Sequence, residues 1–214
     1  MMLFFNSAHG QIVSTDFVAD FTEGFVILGG VQGTGSSATG SATFTLNQDL
    51  ADPSNNTLSY SLIFQNVDLD GAQTADILDN ITALHIHDVT QCSPMVAQCQ
   101  QGIDNAGTIH LLNIFGLPRN DDADVVVDPV AGTISGLWDI SDTSAAGTPI
   151  PTLDISDSQV VDTLLSGNAA IFVHTNGVPT AAAGGALTVV PEPAGLAMLL
   201  TGLLGLAGVR HRRR

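Results

Sequence analysis

Residues Thr57 to Phe64 alternate apolar and hydroxyl side chains, with Leu58, Tyr60, Leu62 and Phe64 set against Thr57, Ser59 and Ser61. A strand turns successive side chains to opposite faces, so the four apolar residues share one face and need a core. Ser41 to Leu46 alternates in the same way, and Asn47 to Asn56, with Pro53, supplies the turn between them. The two segments predict a β-hairpin. Further strands are expected within Gln11–Leu28, Ile81–Val89, Thr108–Phe115, Val125–Val127, Thr133–Ile140, Ala169–Thr175 and Gly185–Val190. One helix is expected over Ser156–Leu165, opened by a Ser156–Gln159 capping box and stopped at Gly167. Eight to ten short strands with turn-rich connections predict an all-β antiparallel sandwich or barrel. Trp138 is the expected core anchor.

Charge is distributed very unevenly. Four of the five basic residues are in the last five positions, so residues 1–193 hold one arginine, Arg119, against all 21 acidic residues. Phosphates would be repelled, which argues against a nucleic-acid partner. An acidic, lysine-free domain suits an exported protein, and it attracts divalent cations or basic partners. Export would permit a disulfide between Cys92 and Cys99. Residues 1–10 read as the remnant of a longer signal peptide, because Ala8-His9-Gly10 places small residues where cleavage before Gln11 needs them.

The chain ends in Pro191-Glu192-Pro193, an uncharged run over 194–209, and Arg210-His211-Arg212-Arg213-Arg214. As a helix the run spans about 24 Å at 1.5 Å per residue. It is therefore expected to cross a bilayer, with the arginines Arg210, Arg212, Arg213 and Arg214 anchored in the cytoplasm and the domain outside. This tail resembles the PEP-CTERM sorting signal of bacterial exported proteins. The resemblance implies recognition by an exosortase, removal near the triplet, and release or attachment at the envelope among exopolysaccharide.

The chain from about Phe17 to Val190 resembles the CHRD domain, first described in chordin. The matching segments are Ala38 to Leu46, Asn56 to Leu62, Ala83-Leu84-His85-Ile86-His87, Leu164 to Thr175, and Gly184-Gly185-Ala186-Leu187. The chain departs from the family in placing Asp88 and a cysteine-bearing loop after the His-x-His pair. The resemblance implies an extracellular, immunoglobulin-like or Greek-key β-sandwich without catalysis. The expected organisation is thus a signal remnant over 1–10, a CHRD-like domain over 11–190 and a sorting tail over 191–214. The expected role is structural or adhesive, with exopolysaccharide or other surface proteins as partners.

Chemistry-bearing residues are sparse. Nucleophilic catalysis lacks a Gly-x-Ser-x-Gly motif, and neither cysteine has a neighbouring histidine or basic residue to activate it. The chain reads as a non-enzyme. His85 and His87, two apart on one strand, project from one face about 6–7 Å apart. A transition metal, copper or zinc, would need His174 as third ligand and His110 as fourth. Packing of the histidines between strands is the reading adopted; a metal-binding, redox-related protein centred on His85, His87 and His174 is the alternative. A copper/zinc superoxide dismutase centre needs six histidines and an aspartate, and only four histidines lie between Gln11 and Pro191. Asp68, Asp70, Asp76, Asp79, Asp121, Asp122 and Asp124 are candidate calcium ligands, but none follows the EF-hand spacing, and a solvated acidic surface is the reading adopted.

Overall fold

The computed structural model describes residues 10–23, 35–89, 110–116, 122–142, 154–179 and 181–191. The chain runs through β1 (Ile12–Thr22), β2 (Thr39–Asp49), β3 (Thr57–Gln65), β4 (Ile81–Asp88), β5 (His110–Gly116), β6 (Val126–Asp128) and β7 (Thr133–Trp138). Helix α1 (Ser158–Leu165) follows, then β8 (Ala169–Thr175), β9 (Ala183–Ala186) and β10 (Thr188–Val189). The described residues build the expected all-β architecture with one α-helix, and every pairing between their strands is antiparallel.

The hairpin read from alternation is β2–β3. It pairs Phe44 with Tyr60, Ala42 with Leu62 and Leu46 with Leu58. Its turn is held by short carboxylates: Asp49 accepts from the Ala51 N–H at 2.9 Å, and Asp52 caps a one-turn 3-10 helix at Pro53–Asn55. β1 lies against the other edge of β2, and β7 against β3. Phe17, Phe21, Phe44, Leu46, Leu58, Leu62 and Trp138 point inward and are fully buried. Each such side chain contributes about 1.5–3 kcal/mol through area removed from water.

Two separate sheets, as in an immunoglobulin-like sandwich, are expected from the sequence; the ten strands instead follow one path, β5-β4-β8-β9-β1-β2-β3-β7-β6, with β10 also on β1. The join is the segment 183–189. β9 pairs with β8 along four residues and with β1 at Thr22–Gly184, and β10 then pairs with β1 at Phe17–Val189 and Val18–Thr188. Glycine permits this crowding, since a Cβ on Gly185 would collide with the Asp20 carbonyl. Leu84 and Ile86 of β4 belong to the same core cluster as Trp138 of β7, and the one α-helix among the described residues, eight residues long, is too small to cover a face of ten strands. The sheet therefore curls so that its flanks cover one another.

α1 packs Val160, Val161 and Leu164 onto this core. Its cap is Asp157 and not Ser156. The Asp157 carboxylate accepts from the Gln159 N–H at 2.8 Å, while the Ser156 N–H is already taken by Asp154. Gly167, at φ +74°, ends the helix as expected.

β8 is buried along its whole length. Ala169, Ile171 and Val173 face the main core, whereas Ala170 and Phe172 form a second, smaller cluster with Ala181. β4 is split likewise: Leu84 and Ile86 go to the main core, and the two histidines take the other face.

Candidate metal centre

The site is built on β4 and β8, which are neighbours in the sheet and are each paired on both edges. Alternation on β4 sends His85 and His87 to the face away from the main core. On β8 the same alternation places Phe172 and His174 on that face. The register sets Phe172 opposite His85, Ala83 opposite His174 and Ala170 opposite His87. Two of the three histidines thus face an alanine across the ladder. Within this ladder Ala83 leaves the His174 ring space to lean diagonally toward His85, a reach that aromatic side chains span in antiparallel pairs.

The result is a compact triad. The His85 and His87 ring centroids are 5.5 Å apart, and those of His85 and His174 are 4.9 Å apart. One nitrogen from each of the three rings lies within 4.8 Å of the others. His87 and His174 are buried and His85 is half-buried. Phe172 meets the His87 ring edge-on, at 5.2 Å between centroids and 86° between planes. His174 Nδ1 lies 2.8 Å from the Pro179 carbonyl oxygen. A carbonyl only accepts, so Nδ1 carries the proton and Nε2 is the lone-pair nitrogen of the ring. Among the described residues this is the group of metal-ligating side chains that gathers three members.

Of the residues singled out from sequence, the structure brings His85, His87 and His174 together. His110 opens β5, and its backbone register sets it opposite His87. Cys92, Cys99, Asp121, Glu192, Pro193, the run 194–209 and the terminal arginines lie outside the described residues, as do residues 1–9. Among the described residues no helix is long and apolar enough to cross a membrane.

Two of the acidic candidates, Asp68 and Asp122, are put to internal use. Asp68 is buried and accepts four backbone N–H groups, from Asp70, Gly71, Gln73 and Thr74, at 2.8–3.1 Å. Burial pushes its carboxyl up, but the four donors outweigh that and hold it at about 2. Asp122, also buried, accepts from the Tyr60 hydroxyl and from the Asp124 N–H. Burial raises the Asp122 carboxyl above its ordinary value, and burial, then the Asp122 carboxylate, raises the Tyr60 phenol. The buried Asp142 beside them ties two segments together by accepting from the Ala123 and Asp139 N–H groups. Sequence reading missed the Tyr60–Asp122 pair because 62 positions separate its members. It also missed the roles of Ala83 and Ala170. Their signal, small residues on strands that carry histidines, becomes meaningful only once the register is known.

The CHRD domain family model matches residues 25–187. No curated protein and no solved structure matches the chain significantly. The matched span runs from before β2 to the end of β9, takes in all three gathered histidines, and covers well over half of the chain: the protein belongs to the CHRD domain family.

Proposed function

We propose that this CHRD protein is an exported, non-catalytic module of the bacterial envelope or exopolysaccharide matrix, delivered by its PEP-CTERM tail and sorted by an exosortase. The observation that carries the reading is where the fold closes. The Val190 N–H donates to the Asp16 carbonyl at 2.8 Å, and Thr188 Oγ1 donates to the Val18 carbonyl at 3.0 Å. The next residue, Pro191, is exposed and opens the Pro-Glu-Pro triplet. Having no N–H, Pro191 cannot extend the ladder. Cleavage at the triplet would therefore leave every described strand whole.

The outer face of the sheet suits a matrix partner. Ser14, Asp16, Ser41, Thr43 and Ser61 are exposed there, on strands whose inner residues form the core. Hydroxyl and carboxylate groups on a broad sheet offer both donors and acceptors to polysaccharide. The acidic excess keeps copies apart in solution.

The test is the intact mass of the protein recovered from cells with and without an exosortase. A species lacking the residues beyond the triplet, formed only in the exosortase strain and abolished when Pro191, Glu192 and Pro193 are all replaced by Ala, is expected. Full-length mass in both strains would overturn the sorting reading. Failure of the cleaved domain to sediment with purified exopolysaccharide would overturn the matrix one.

A further inference from the structure

We infer that His85, His87 and His174 form a binding site for one transition-metal ion, zinc(II) or copper(II), held by three imidazole nitrogens.

Three observations converge on it. The first is distance. Metal–imidazole bonds of about 2.0–2.1 Å place ligand nitrogens about 3.3–3.5 Å from each other. The nitrogens here already lie within 4.8 Å, so each ring has to move by less than about 1 Å. The second is preorganisation. β4 and β8 are inner strands, and Phe172 packs edge-on against His87. The Pro179 carbonyl holds His174 Nδ1 as the outer partner of a metal-bound histidine does, which makes Nε2 the candidate ligand atom. The third is room. Ala83 and Ala170 stand opposite His174 and His87, where larger residues would hold the rings apart.

The donor set decides the class of ion. Three neutral nitrogens suit zinc and copper, and a gathered group without a carboxylate gives calcium or magnesium little to bind. Two ligands are buried and the third, His85, is half-buried. Solvent or a small exogenous ligand would complete the coordination from the His85 side. The site uses no residue of the sorting tail, so the two readings are tested separately.

The experiment uses the full chain, stripped with a chelator, desalted, and loaded with one equivalent of Zn²⁺ or Cu²⁺. Elemental analysis after a second desalting is expected to find about one ion per chain, with a raised Tm. His174→Ala and His85→Ala are expected to weaken affinity at least tenfold to a hundredfold, and His9→Ala with His211→Ala to leave it unchanged. X-ray absorption of the loaded wild-type protein provides a reading that does not depend on how the variants fold. Three imidazole nitrogens in the first shell are expected. A shell of oxygen or sulfur, retention well below one ion per chain, or equal binding by His174→Ala would overturn the assignment.

Discussion

His174 and His85 sit on neighbouring strands with their rings 4.9 Å apart, although the register places neither directly opposite the other. The residue opposite His174 is Ala83, whose small side chain leaves space for the two rings to approach. Ala83 is only half-buried, so a larger side chain there has somewhere to go without breaking the core. Ala83→Leu is expected to weaken Zn²⁺ binding on the order of tenfold while Tm of the metal-free chain changes by only a few degrees. Titration calorimetry and thermal melts measure the two effects. Unchanged affinity would mean that Ala83 does not set the ring positions.

Asp68 makes a prediction about acid. Its carboxyl is held at about 2, below the ordinary 3.8. A depressed folded value means that the ionised group favours the native state: its contribution is present above about 3.8 and is lost as pH falls toward 2. The loop between β3 and β4 hangs on this group, because Asp68 also exchanges backbone hydrogen bonds with Asp79 and Ile81. Asp68→Asn keeps one acceptor oxygen and loses the charge. It should destabilise the protein at neutral pH by about 1–3 kcal/mol and flatten the fall in stability between pH 4 and 2. Urea melts across that range are the measurement; an acid limb as steep as that of the wild type would rule out the role given to Asp68.

The Tyr60–Asp122 bond predicts the opposite sign. Burial raises the Asp122 carboxyl, so this group favours folding when protonated: that contribution is full below the ordinary 3.8 and is lost as pH rises through the folded value. Tyr60→Phe removes a donor and leaves a carboxylate more costly to keep buried. The loss should be about 1–3 kcal/mol at pH 7 and smaller at pH 4, where a neutral carboxyl is cheaper to bury. Chemical denaturation of both proteins at the two pH values tests this, and an equal loss at both would show that Asp122 does not carry the effect.

The parts of the fold that sequence made legible are those with a local signal. Leu58, Tyr60, Leu62 and Phe64 announced their strand by alternation, and Gly167 announced the end of α1. Ser156 and Asp157 are both good caps, and the structure gives the Gln159 N–H to the Asp157 carboxylate. The join between the flanks had no local signal. It rests on Gly184 meeting Thr22 and on Val189 meeting Phe17, pairs separated by more than 160 positions, and that contact converts two expected sheets into one. The candidate site divides in the same way. His85 and His87 were visible as a spacing on one strand, whereas the place of His174 beside them depends on a register that alternation alone does not fix.

That join can be tested directly. β9 runs between β8 and the end of β1, and Gly185 pairs with Ile171 on one side while lying against Asp20 and Phe21 on the other. An added Cβ would collide with the Asp20 carbonyl, which is backbone in a long paired strand and cannot swing aside. Either β9 backs away from β1, or β1 bends. Gly185→Ala should therefore cost about 1–3 kcal/mol, the usual penalty for overpacking a tight site. The damage should be local before it is global: amide exchange should quicken at Thr22 and Leu187, beside the join, and stay slow at Phe44 and Leu62 in the β2–β3 hairpin. Uniformly faster exchange would mean that the sheet opens as one unit. Unchanged stability would mean that the two flanks are held together by the core alone, without need of the close backbone approach at Gly185.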